Sequence, residues 1–287
     1  MKSDLLALAA IALWGMLAAL GVKLAHVPPF LLTGLGLLAG SLIALPLSQW
    51  QLQAWKVPLP TLLVGIYGLF GFHWLLFLAL RHAPAVEANL INYLWPLGMV
   101  VLAPLFLPSV RLHGRHVVAA LLGFAGAAIA ILGRGDQASS AGSGFQPGYL
   151  LALGSALVWA SYSLLTRRVP AFPTAAVGSF ALVSGLLSLA CHALLEPATT
   201  LSSSDMALIA LLGLGPLGGA FFLWDAAIKC GDPRRIGLLA FITPLLSTAL
   251  LLLSTGQALR WNIALAAVLV IGAAVWGSRQ QCSICPN

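Results

Sequence analysis

Ten apolar runs, each close to twenty residues and separated by short polar breaks, fill almost the whole chain. A helix needs about 20 mostly apolar residues to cross a bilayer, where it must satisfy its own backbone N–H and C=O groups. The runs fall at about 4–22, 30–48, 59–80, 85–107, 114–133, 148–166, 174–195, 205–228, 234–253 and 261–278. They predict an all-α polytopic membrane protein with ten transmembrane helices. Composition argues the same way. Of 287 residues, 60% are hydrophobic and 7% are charged, whereas a soluble domain carries about 25% charged residues. So few charges cannot cover a soluble globule, which excludes a cytosolic enzyme and a disordered chain. The net charge of +7 is not gathered into a basic run interleaved with aromatics. The lipid bilayer is therefore the expected partner, and nucleic acid is not.

The first run, Leu5 to Val22, is longer than the apolar core of a signal peptide and reads as a retained span. With the N-terminus in the cytoplasm, ten Lys and Arg fall inside and four (Lys23, Arg81, Arg134 and Arg260) fall outside. That excess predicts both termini on the cytoplasmic side. Cys282 and Cys285 form an isolated C-x-x-C with no neighbouring His, so no metal and no cofactor are expected.

The sequence also repeats. Leu13-Trp14 matches Val158-Trp159, and Pro28 matches Pro173, at an offset of 145. Pro96 matches Pro244 at an offset of 148. Residues 1–133 and 148–287 read as two five-helix repeats joined by a Ser/Gly-rich linker at 134–147. An odd number of spans per repeat inverts the second relative to the first. Such 5+5 architecture belongs to secondary transporters, whose substrate sites lie near the midplane between the repeats.

Polar and aromatic stripes within the spans mark candidate site residues. Ser155, Trp159, Tyr162, Ser163 and Thr166 share one face of the sixth span. Asn89, Asn92, Tyr93 and Pro96 share a face of the fourth, where Pro96 interrupts the helix and Trp95 lies beside it. Pro244 sits at the equivalent place, so both prolines are hinge candidates. On the third span Tyr67, Gly71, Trp74 and Leu78 align at helical spacing, with His73 more than a quarter turn away. Trp14 occupies the repeat position of Trp159, and Trp224 lies on the eighth span. Helix–helix packing is the competing reading for all of these. His73, Glu87 and Asp225 are ionisable groups within spans and are candidates for proton coupling, against structural pairing such as Asp225 with Lys229. Trp50, Trp55, Trp261 and Trp276 lie near span ends, as an interfacial belt would.

The run Glu-Ala-Asn-Leu-Ile-Asn-Tyr-Leu-Trp-Pro, Glu87 to Pro96, resembles the E-x-x-x-x-N-Y-L-W-P stretch of YddG-type aromatic amino acid exporters. These belong to the EamA branch of the drug/metabolite transporter superfamily. The Trp14 segment, the Trp159/Tyr162 stripe and Trp224 are similar too. The resemblance implies inverted repeats, alternating access and a central cavity near Trp14, Tyr93, Trp95, Trp159 and Tyr162. It implies a bacterial inner-membrane exporter of amino acids, preferring aromatic or large neutral ones, that needs no enzyme chemistry. The ligand ring would stack on Trp or Tyr, its ammonium would meet an aromatic face or Asn92, and its carboxylate would meet Ser163 or Thr166. A monomer is the working expectation. The rival readings are an exporter of drugs, polyamines or other metabolites, and an intramembrane enzyme.

Overall fold

The computed structural model describes residues 2–108, 110–132, 146–255 and 261–278. Most of the expected linker, with Arg134, Arg260, Arg279, Cys282 and Cys285, lies outside the described residues. Eight helices among the described residues are long and apolar enough to cross a membrane. They are α1 (Lys2–Lys23), α2 (Pro29–Leu47), α3 (Leu59–His82), α4 (Ala85–Phe106), α5 (Gly114–Leu132), α6 (Pro147–Leu165), α7 (Thr174–Leu195) and α8 (Ser203–Cys230). Three shorter helices follow: α9 (Pro233–Ala240), α10 (Ile242–Thr255) and α11 (Trp261–Ser278). No strand occurs among the described residues.

Local chemistry sets several helix starts. Proline opens α2, α6 and α9, where its fixed φ suits the first turn and its missing N–H is not needed. Ser202 and Asp205 form a reciprocal capping box at the start of α8. The Asp232 carboxylate accepts from the Arg234 N–H at 2.9 Å to cap α9.

The irregularities recur along the chain. A π turn at Tyr67–Gly71 widens α3, and another at Gly215–Gly219 widens α8. The segment beyond each, Phe72–His82 or Ala220–Cys230, is followed by a short helix, Ala85–Asn92 or Pro233–Ala240. Every one of these pairs is separated by 148 residues. The packing obeys the same exchange. Helix α6 lies on the second part of α3 as α1 lies on the second part of α8. Helix α2 packs on its own counterpart α7, and α5 on α11.

Side-chain contacts fix the directions. Asp4 at the start of α1 pairs with Arg235 of α9 at 2.9 Å, which defines one end of the bundle. At the other end, where α1 finishes, Glu196 accepts from the Phe30 and Leu31 N–H groups (3.0 and 3.2 Å) and from Arg81 (3.3 Å). Tyr149, near the start of α6, donates to Glu87, near the start of α4 and hence at this second end. Equivalent helices α1 and α6 therefore run in opposite directions.

Small residues set the closest approach. A Cβ added at Gly40 of α2 would lie 2.7 Å from the Gly218 Cα of the α8 π turn, and one at Gly213 would lie 2.6 Å from the Gly36 carbonyl. Without a hydrophobic drive between helices in lipid, such backbone proximity is a main source of their attraction.

Candidate functional site

A cavity of about 370 Å³ lies at the centre of the bundle, within the span of about 300–1,000 Å³ typical of small-molecule sites. Its core is aromatic. Trp14 and Trp159 meet edge to face at 5.7 Å, and Trp95 stands 6.2 Å from Trp14 and 6.4 Å from Trp159. Phe72 and Phe221 flank Trp159 at 5.3 and 5.5 Å. Each such pair is worth about 0.5–1.5 kcal/mol beyond the area it buries. The Trp14 indole donates to the Pro216 carbonyl at 3.1 Å, tying α1 to the α8 π turn.

Polar groups enter from other elements. Asn89, Asn92 and Tyr93 of α4, Thr243 and Ser247 of α10, and Thr33 of α2 line the cavity. Ser155 Oγ donates to Asn92 Oδ1 at 2.7 Å and so fixes that amide. Pro96 has no N–H to offer the Asn92 carbonyl, and Pro244 none for the Ala240 carbonyl. Both prolines sit just after a helix break, at Tyr93–Leu94 and at Phe241. Among the described residues, the lining carries no Asp, Glu, Lys or Arg, and His73 and Tyr93 are its titratable groups. Late α1, early α2, late α3 and early α4 all contribute, so the cavity extends from the aromatic core toward the Arg81–Glu196 end.

Of the residues singled out from sequence, Trp14, His73, Asn92, Tyr93, Trp95 and Trp159 line this cavity. Tyr67, Trp74, Tyr162, Ser163 and Trp224 do not. On α3 the reason is the π turn. Bonding from i to i+5 adds a residue to the turn and rotates everything after it. Phe72, His73 and Phe77 consequently face inward. Tyr67 shares a 2.8 Å hydrogen bond with Ser161, and Trp74 stacks on Phe30 and Phe70 at 5.3 and 5.7 Å. Tyr162 is buried over Gly68 beside Trp159. Ser163 Oγ accepts from Trp224 Nε1 at 3.0 Å and donates to the Trp159 carbonyl at 2.9 Å, beneath the aromatic floor. Thr166 donates to the Ser163 carbonyl at 2.9 Å.

Glu87 and Asp225 also lie outside the lining. Asp225 Oδ2 accepts from Lys229 Nζ at 2.6 Å and from Thr174 Oγ1 at 2.7 Å. Lys229 also donates to the Phe172 carbonyl at 2.9 Å and stands 3.6 Å above the Phe172 ring. Phe72, Phe77 and Thr33 were not anticipated as lining residues. Phe221 is the repeat equivalent of His73, 148 positions on, and that match was the available signal. Among the described residues, no group of three His, Cys, Asp or Glu could hold a metal ion.

Comparison with known proteins matches the EamA-like transporter family model to this chain twice, over residues 1–132 and 146–278. The chain belongs to the EamA-like transporter family. A relative from Ancylobacter novellus, named aromatic amino acid exporter YddG, is 40% identical over 95% of this chain and 96% of its own length. The exporter of that name from Escherichia coli K12 is 26% identical, covering 94% of each chain. A crystal structure of a protein 38% identical superposes with a TM-score of 0.89 over 97% of this chain and 96% of the other. This EamA-family chain is thus an all-helical, multi-pass membrane protein of transporter type.

Proposed function

We propose that this chain exports amino acids, preferring aromatic or large neutral ones, across the bacterial inner membrane by alternating access through the central cavity. The proposal includes ten spans in two inverted five-helix repeats, 1–133 and 148–287, joined at 134–147, with both termini cytoplasmic. The double family match, the recurrence at 148 residues and the opposed directions of α1 and α6 support the repeats. The named function of the relatives supports the substrate class.

One observation carries the reading. The cavity offers indole and phenyl rings, amides and hydroxyls, but no Asp, Glu, Lys or Arg among the described residues. Burying a net charge there without a counter-charge is costly. A zwitterion with a large apolar side chain fits such a lining, and a polyamine does not. The acidic groups a polyamine would need are engaged elsewhere, Glu87 with Tyr149 and Asp225 with Lys229. The ligand ring stacks within the Trp14, Trp95 and Trp159 group. Its ammonium is received by Asn89, the Asn92 carbonyl and the indole faces. The expected carboxylate partners, Ser163 and Thr166, already spend their hydroxyls on protein groups. Trp95 and Trp159 line the cavity, their indole N–H groups have no protein acceptor among the described residues, and we take them as the better donors. Pro96 and Pro244 serve as hinges. Asp225 is a structural partner of Lys229 and not a proton carrier.

Counterflow of labelled phenylalanine into proteoliposomes tests this. Exchange that unlabelled tyrosine or tryptophan competes with, and putrescine does not, is the expected result. Competition by putrescine with no response to amino acids would overturn it.

A further inference from the structure

Among the described residues, His73 is the one imidazole in the aromatic walls of the cavity. Its Nδ1 lies 2.6 Å from the Leu69 carbonyl in the α3 π turn. A carbonyl can only accept, so Nδ1 carries the hydrogen. An uncharged imidazole held this way presents Nε2 as an acceptor. Among the described residues no protein donor meets Nε2. The ring is enclosed by Phe72 at 5.0 Å, Phe77 at 5.9 Å and Phe221 at 6.3 Å.

The repeat sharpens the point. Position 73 corresponds to position 221, where phenylalanine fills the same kind of place. Shape alone would be served by phenylalanine at both. An imidazole among rings that lines the cavity with its acceptor unused is poised to take a hydrogen bond from what enters there. Other polar groups of the cavity, Asn89 of α4, Thr243 and Ser247 of α10 and Thr33 of α2, can serve the polar head of a zwitterion. A donor arriving at His73 therefore belongs to the ligand's ring.

We infer that His73 determines specificity: Nε2 accepts a hydrogen bond from an indole N–H or phenol O–H, favouring tryptophan and tyrosine over ring side chains without a donor. This rests on the amino acid reading above. The test compares tryptophan with benzothienylalanine, in which sulfur replaces the indole N–H at nearly constant shape. Both compete for counterflow in proteoliposomes of wild type, His73→Phe and His73→Gln. Wild type is expected to prefer tryptophan about tenfold. His73→Phe should bring the ratio close to one while still transporting benzothienylalanine. His73→Gln, which keeps an acceptor, should retain part of the preference and serves if the Phe variant does not fold. Equal use of both compounds by wild type overturns the inference and leaves the amino acid reading intact. So does an unchanged ratio in His73→Phe, or an equal loss of both compounds, which would assign His73 to the polar head or to packing. A wild type that moves no aromatic amino acid defeats the underlying reading itself.

Discussion

Trp14 and Trp159, matched in sequence at an offset of 145, touch edge to face, with centroids 5.7 Å apart. Under the proposed inverted repeats, two equivalent side chains can meet only near the axis that relates them. Both rings are almost wholly buried, yet both line the cavity. Trp159→Ala should therefore cost about 3–5 kcal/mol of stability as well as activity. Trp159→Phe keeps most of the packing, and its expected signature is near-normal thermal unfolding in detergent with clearly reduced counterflow. Equal flux in wild type and Trp159→Phe would remove Trp159 from the binding surface.

Ser155 matters through Asn92. Its hydroxyl is the group holding the Asn92 amide oxygen, at 2.7 Å. Ser155→Ala should leave the helix intact and free the amide to rotate, weakening apparent substrate affinity about tenfold. Maximal rate should change less. Titration of counterflow against substrate concentration separates the two effects, and a purely rate-limited defect would contradict the role given to Asn92.

The Asp225–Lys229 pair is a stability element. Lys229→Met leaves a carboxylate 3% exposed without its charge partner, a loss of about 3–5 kcal/mol. Neutralising both, as Asp225→Asn with Lys229→Met, should recover most of that. Thermal unfolding of the single and double variants would show whether the penalty comes from the stranded charge.

At Asp232, between α8 and α9, burial pushes the carboxyl up, but hydrogen bonds from the Arg234 side chain and N–H outweigh it and hold the group below its ordinary range. A depressed carboxylate contributes stability above its unfolded-state value and loses it as pH falls through the lower folded value. Asp232→Ala should thus cost about 1 kcal/mol of helix capping near neutrality. The gap to wild type should close only in acid. A gap that persists at the lowest pH where the protein stays folded would refute the capping account.

Gly68→Ala probes the α3 π turn. A Cβ there would run into the buried Tyr162 ring. Loss of thermal stability is expected, with partial rescue by Tyr162→Leu, which clears the space. An unaffected melting temperature would mean that the turn can relax.

The all-helical membrane fold and the Asn92–Pro96 break were readable because each leaves a mark in residue type: long apolar runs, eight of which form span-length helices among the described residues, and a proline. The π turns leave almost none. Gly65, Gly68 and Gly71 in one half, and Gly213, Gly215, Gly218 and Gly219 in the other, carry no side chains from which to read a period. A uniform 3.6-residue turn through Tyr67, Gly71 and Trp74 therefore did not point to Phe72 and Phe77, which line the cavity while Tyr67 and Trp74 do not. The glycine clusters at matching offsets were the only hint. Hydroxyl partnerships were equally hidden. Ser163 and Thr166 look like ligand donors on a helical wheel, and only packing reveals that Trp224 and the α6 carbonyls have claimed them.

Where Gly40 meets Gly218, backbone approaches backbone, and the side chains of Ile43, beside Gly218, and Leu217, beside Gly36, close the edges of the seam. Under the proposed alternating access, this is the line along which α2 and the α8 turn can shift with few rotamers to rearrange. A single methyl at Gly40 would act there as a wedge, parting the two helices and hindering that shift.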